Sequence, residues 1–228
     1  MDQTKAIFKS WFINNDQSSN WETGCFADLI QSKLNGDWGK DSPINNFSER
    51  VYCIRGADIP SVKTGNKGKM PTRYILSKNL SAKQLKPGDL VVEISGGSPT
   101  QSTGRVTLIT RSLLKAYDAP LICTNFCKAL EPIYEYRFFI YFYWQNFYDK
   151  GKFFSYENGT TGIKNLDFNS FVDLEPIKIP PKELIDKFNS VCETVFNQIF
   201  LNGRQSECLE RIRDLLLPRL LSGQIEIK

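Results

Sequence analysis

Three glycine-bearing stretches hold the residues best placed to do chemistry. The first is Ser95–Gly104, SGGSPTQSTG, with Arg105 at its exit. Glycines let backbone N–H groups approach a partner closely. Hydroxyls such as Ser98, Ser102 and Thr103 suit phosphate oxygens, while Gln101 and Arg105 suit base edges. An ordinary hairpin connection rarely needs so many such residues. The second stretch is Ser61–Arg73, SVKTGNKGKMPTR, which carries Lys63, Lys67, Lys69 and Arg73 and no acid. It reads either as a solvated surface loop or as a flexible basic arm that closes on phosphates. The third is Gly159–Leu166, GTTGIKNL, where Thr160, Thr161 and Lys164 add polar groups. The chemistry common to all three is non-covalent recognition of a polyanion.

Covalent chemistry finds little support. The chain has no histidine, which removes Ser-His and Cys-His nucleophile pairs. There is no GxGxxG fingerprint and no Asn/Asp-Pro-Pro-aromatic tetrapeptide of the adenine methyltransferase type. Asp89-x3-Glu93-Ile94-Ser95 is the nearest approach to a metal-dependent nuclease core, but it lacks the lysine wanted at the last position. The six cysteines include Cys123-x3-Cys127 without a second pair, so neither a zinc site nor any other metal site is expected. No apolar leader precedes them, and they read as reduced core residues of a cytoplasmic protein. The aromatic run Tyr134–Tyr148 contains Glu135 and Arg137 and falls short of the roughly 20 apolar residues of a membrane span. No catalytic residue and no bound cofactor are therefore assigned to this chain.

The elements that must hold the loops form a mixed, strand-rich body. Leu90–Ile94 and Arg105–Thr110 read as an antiparallel pair introduced by the Lys86-Pro87-Gly88-Asp89 turn. Val51–Ile54, Tyr74–Leu76, Leu121–Cys127 and Leu166–Asp173 read as further strands, with Pro176–Pro180 as a last strand and exit. Glu131–Phe147 reads as a buried aromatic helix, and Gln3–Asn14 as a short amphipathic one. Three segments result: a short N-terminal helix (1–15), a mixed α+β recognition body (16–180) and a long C-terminal helix (181–228).

That last helix starts at Pro180-Pro181 and shows apolar residues at spacings of three and four: Ile185, Phe188, Cys192, Val195 and Ile199, resumed by Leu209, Ile212 and Leu216. About 40 helical residues make a rod of about 60 Å. The seam predicts an antiparallel coiled coil with the same helix of a second copy, capped by Ile7, Trp11 and Phe12 of the N-terminal helix; the other reading is a C-terminal helix packed on its own domain. From Lys182 onward seven bases balance seven acids, so the whole net charge of +4 sits before it. A basic body on a neutral rod suggests nucleic acid for the first and protein for the second.

Four stretches together resemble the specificity (S) subunit of type I DNA restriction–modification systems. They are Leu85–Ile109, Gly159–Pro181 with its IKIPP exit, Leu215–Ile227 (LLLPRLLSGQIEI), and Ala6–Phe12 (AIFKSWF). The last is similar to the end of the central helix that precedes a second recognition domain. The resemblance implies a target recognition domain reading one half of a bipartite site in double-stranded DNA. It also implies adenine methylation by a separate methyltransferase (M) subunit that binds S-adenosylmethionine, and cleavage by a restriction (R) subunit. Members of this family usually have two recognition domains, whereas this chain has one; a head-to-tail homodimer could rebuild the pair, and so could a product of a longer gene joined by its other half. Two alternatives stay open: the recognition module of another methyltransferase or nuclease, and a helix-driven protein interaction module without a DNA role.

Overall fold

A computed structural model describes residues 1–98, 100–159 and 163–225. At its centre is a four-stranded antiparallel sheet in the order Ile30–Asn35, Cys127–Pro132, Leu90–Glu93, Val106–Leu108. The expected Leu90/Val106 pairing is present, with Leu90 opposite Leu108. A second, three-stranded sheet sets Phe47–Ile54 between Thr72–Leu76, antiparallel, and Leu121–Cys123, parallel. The exit strand Ile177–Ile179 pairs with Glu22–Gly24 near the chain's beginning. Both ends of the body are thus tied together just before the long helix departs.

Two local readings differ from the sequence-based expectation. Cys127–Pro132 is an inner strand of the main sheet, and the aromatic helix begins only at Arg137. Phe168–Leu174 is a helix, not a strand. Asp167 caps it by accepting the Ser170 N–H, and Phe168, Phe171 and Val172 place one apolar face inward at helical spacing. The aromatic helix Arg137–Asp149 is buried on every side from Arg137 to Asn146, as a helix that is apolar all round must be. Phe26, Phe153 and Phe171 pack on its Trp144, whose indole N–H donates to the Gly104 carbonyl at 2.8 Å.

The long helix runs Lys182–Leu221. Its first half does not wait for another chain. Ile185, Phe188 and Cys192, expected in the coiled-coil seam, lie in the body's own core with Phe196. Phe12, expected to cap the bundle, is in the same core, and Ile7 and Trp11 pack against it. Phe188 sits among Phe8, Phe12 and Phe142, with ring centroids 5.0–5.8 Å apart. The reason is the aromatic helix: its face needs covering, and the nearest apolar stripes are those of the N-terminal and long helices. Val195 and Ile199 are half-buried, and Phe200 takes the next inward position. Beyond Gly203 the helix leaves the body, and Leu209, Ile212 and Leu216 are exposed together with Leu215, Leu217 and Leu221.

All six cysteines are free. Burial pushes the Cys127 thiol up to about 12 and also raises Cys53, Cys123 and Cys192. A thiol-directed reagent applied to the native protein at neutral pH is expected to label Cys208 and, more slowly, Cys25, and to spare the other four until denaturant is added. Mass spectrometry of the labelled peptides checks this; rapid native labelling of Cys192 would contradict the docking of the long helix.

Candidate nucleic-acid interface

Antiparallel pairing brings three loops to one end of the main sheet. Ser95–Gly104 follows one inner strand, Thr124–Phe126 precedes the other, and Gly36–Gly39 follows an outer strand. The Ile94 and Ser95 N–H groups donate to the Phe126 carbonyl at 2.9 and 3.3 Å, and the Asp37 N–H to the Cys123 carbonyl at 2.8 Å. Gly36 is pressed so closely on the Thr124 carbonyl that a Cβ there would overlap it. A hairpin of Glu157–Asn158 and Lys164–Leu166 adds to the same end by pairing with Ser95–Gly96.

Much of the polar chemistry expected of the first loop is engaged within the chain. Arg105 donates to both carboxylate oxygens of Glu93, Nε at 2.7 Å and Nη2 at 2.6 Å. Its guanidinium holds that orientation, and its pKa rises chiefly through this hydrogen bonding. With its amide assigned so that the oxygen faces Arg105, Gln101 accepts from Nε at 3.1 Å and Nη1 at 3.3 Å. Thr103 is buried and donates through its N–H and Oγ1 to Glu157 at 2.6 and 3.0 Å, and Ser102 is buried beside it. Lys164 pairs with the other oxygen of Glu157 at 2.8 Å. Of the residues expected to touch DNA, Ser102 and Thr103 are thus buried and Arg105 is engaged by Glu93. The reason for the last two is a pair of acids with buried side chains: Glu93 takes the Arg105 donors and Glu157 those of Thr103. Ser98, Gln101 and the exposed Thr100 remain at the surface, while Thr160 and Thr161 lie outside the described residues.

Part of the basic arm turns inward. Lys63 ends a short helix, Ile59–Lys63, and turns inward to donate to Gln145 Oε1 of the aromatic helix. Burial lowers its pKa to about 8, with neighbouring Lys5 adding to the shift. Arg73 is buried, donates to the Trp38 carbonyl at 2.7 Å, pairs with Asp41 and lies 4.2 Å from the centroid of the Trp38 ring. Neither presents a free cation. Between them the arm is docked, not loose: the Lys67 N–H donates to Glu207 of the long helix at 3.0 Å, and Tyr117 donates to the Lys67 carbonyl at 2.7 Å. The Lys67 and Lys69 ammonium groups remain free of ion pairs among the described residues.

Apolar groups were missed by reasoning from polar residue types. At the loop-bearing end Phe126 is 55% exposed and Ile163 60%, with Trp38 and Phe154 partly uncovered. Each sits in or beside a turn-rich stretch, where a large apolar side chain has no core to enter. That placement was the available signal. Such groups can touch thymine methyls or wedge against base steps. No group of three or more Cys, Asp or Glu residues able to hold a metal occurs among the described residues, and no helix there is long and apolar enough to cross a membrane.

No protein-family model matches the chain. The MjaIX type I restriction enzyme specificity subunit of Methanocaldococcus jannaschii is 25% identical over 97% of this chain and 52% of its own length. The HindI specificity subunit of Haemophilus influenzae is 40% identical over 30% of this chain and 15% of its own length. The chain resembles a half-length type I specificity subunit. It spans about half the length of the M. jannaschii subunit it matches. Solved S subunits share the fold. HsdS of Thermoanaerobacter tengcongensis gives a TM-score of 0.51 at 14% identity, over 98% of this chain and 51% of that one. The M. genitalium S subunit gives 0.54 at 17% identity, over 89% and 46%.

Proposed function

We propose that this chain is the sequence-reading, non-catalytic subunit of a type I restriction–modification assembly, with duplex DNA as its ligand. The observation that carries the reading is the match of nearly the whole chain, 97%, to a type I specificity subunit. It is supported by a sheet end that displays Ser98, Thr100, Gln101, Phe126 and Ile163 on a braced frame. Residues 16–180 serve as the recognition domain, and 1–15 and 181–228 as its helical flanks. Adenine methylation, with its S-adenosylmethionine, belongs to M subunits and cleavage to an R subunit, all in the cytoplasm. Two copies of the chain assemble one complete reader of a bipartite site.

The distal helix supplies the surface for that pairing. Leu209, Ile212 and Leu216 recur at three and four along an exposed face, and so long an apolar stripe rarely stays uncovered. Ile212→Glu with Leu216→Glu is expected to give a monomer by light scattering with an unchanged melting profile of the body. A wild-type monomer at micromolar concentration would refute the pairing. Deleting the gene is expected to erase one bipartite methyladenine motif from the source genome, as long-read sequencing would show. An unaltered methylation map would refute the DNA-reading role.

A further inference from the structure

The long helix is neutral as a whole, but its charges are not evenly placed. Arg204 and Arg211 stand seven residues apart, two turns along one helix face. With Lys67 from the basic arm and Lys115 from the body, they line a groove of about 310 Å3 where the helix leaves the body. Four cations face one acid there, Glu207, whose Oε1 accepts the Lys67 N–H. A second hollow of about 520 Å3 shares Lys67 and Ala116 with the first and continues past Lys69; its one acid, Asp118, is paired with Arg50. The two form an open, basic trough from Arg211 on the helix to Lys69 on the arm.

The backbone holds this junction tightly. Gly65, at φ +85°, and the buried Gly203 meet main chain to main chain: a Cβ on Gly203 would lie 2.4 Å from the carbonyl carbon of Gly65. The cations from arm and helix are therefore at a fixed mutual placement. None of the five, Lys67, Lys69, Lys115, Arg204 or Arg211, is neutralised by a side-chain ion pair among the described residues, although twelve pairs form elsewhere. Like charges gathered without partners repel unless an anion lies among them. Both hollows are open, and their cationic side chains stand at the surface instead of closing around a small ion. That suits a polymer of phosphates, gripped through counterion release.

We infer that this trough seats phosphates of the DNA backbone, so that the helix is a DNA-binding element as well as a spacer. The inference rests on the proposed DNA-reading role and adds a sequence-independent site distinct from the loop-bearing end of the sheet. The test is duplex binding by the full chain, followed by fluorescence anisotropy over a salt series with two unrelated sequences. Arg204→Gln with Arg211→Gln is expected to weaken both duplexes alike and to reduce the slope of log K against log salt by about 2. Arg213→Gln removes an exposed charge from the same helix, but one that is paired with Asp214, and is expected to leave the slope in place. Retained slope in the double variant overturns the trough while leaving the DNA-reading role intact. An equal loss in Arg213→Gln also overturns it, by showing an effect of net charge alone. Absence of salt-dependent duplex binding by the wild type overturns both readings.

Discussion

Replacing Phe188 by alanine is expected to lower the unfolding free energy by about 3–5 kcal/mol, by the same amount at every protein concentration. The side chain is fully buried and touches aromatic rings from two other parts of the chain: Phe8, Trp11 and Phe12 of the N-terminal segment and Phe142 of the aromatic helix. Truncation removes most of the ring's dispersion contacts and leaves a cavity that rigid aromatic neighbours cannot close. Aromatic pairing adds to the loss beyond the area term. A seam residue of a dimer would behave otherwise, since its loss would appear as a weaker association constant and a concentration-dependent transition. Chemical denaturation at two concentrations a hundredfold apart separates the two. A midpoint that shifts with concentration for the wild type but not for the variant would place Phe188 between chains and contradict its position in the core.

The distinction was partly legible in the sequence. Apolar residues at spacings of three and four identify a helix and one wet and one dry face, whatever covers the dry one. The expected seam, Ile185, Phe188, Cys192, Val195, Ile199, advances 14 residues in four turns, 3.5 per turn, the period of a supercoil. The buried series, Ile185, Phe188, Cys192, Phe196, Phe200, Gly203, advances 18 residues in five turns, 3.6 per turn, the period of a straight helix against a body. Both series begin with the same three residues and diverge only at Val195 or Phe196. Large aromatics at 196 and 200, and a glycine at 203 with no helical reason to be there, favoured the second reading. What the glycine makes room for, the backbone of Gly65, lies more than a hundred residues away and leaves no local trace.

The strands around the Ser95–Gly104 loop were legible for a different reason. Pro87-Gly88-Asp89 marks a corner, and short apolar runs on either side of a polar loop readily pair with each other as a hairpin. The inner strand Cys127–Pro132 was not, because its sequence, CKALEP, lacks β-branched residues and runs into the aromatic segment without a break. For the loop itself, residue types disclosed hydrogen-bonding capacity but not who would use it. One clue was available: Glu93 ends an otherwise apolar strand, LVVE, and a carboxylate in that setting must find a cation nearby.

That pairing sets the second large effect. Arg105→Ala is expected to destabilise the protein by about 3 kcal/mol, before any change in DNA preference. Glu93 is 5% exposed at its side chain, and a Cβ on neighbouring Gly56 would lie 2.4 Å from its Oε1. Without the guanidinium the carboxylate loses its countercharge and both of its Arg105 hydrogen-bond donors. The figure sits at the low end for a broken buried pair because Arg105 keeps a partly exposed edge. Removing both charges together changes the outcome: Arg105→Met with Glu93→Gln is expected to recover most of the loss, since nothing charged is left buried. The loop, however, loses the two-point brace that holds Gln101, so the double variant folds yet discriminates less between the cognate half-site and a substituted one. Thermal melting paired with competition binding reads the two effects separately. A double variant that melts as low as Arg105→Ala would show that the packing of Arg105, not its charge, supports the loop. One that melts normally and keeps full discrimination would show that the Glu93–Arg105 pair plays no part in presenting Gln101 to DNA.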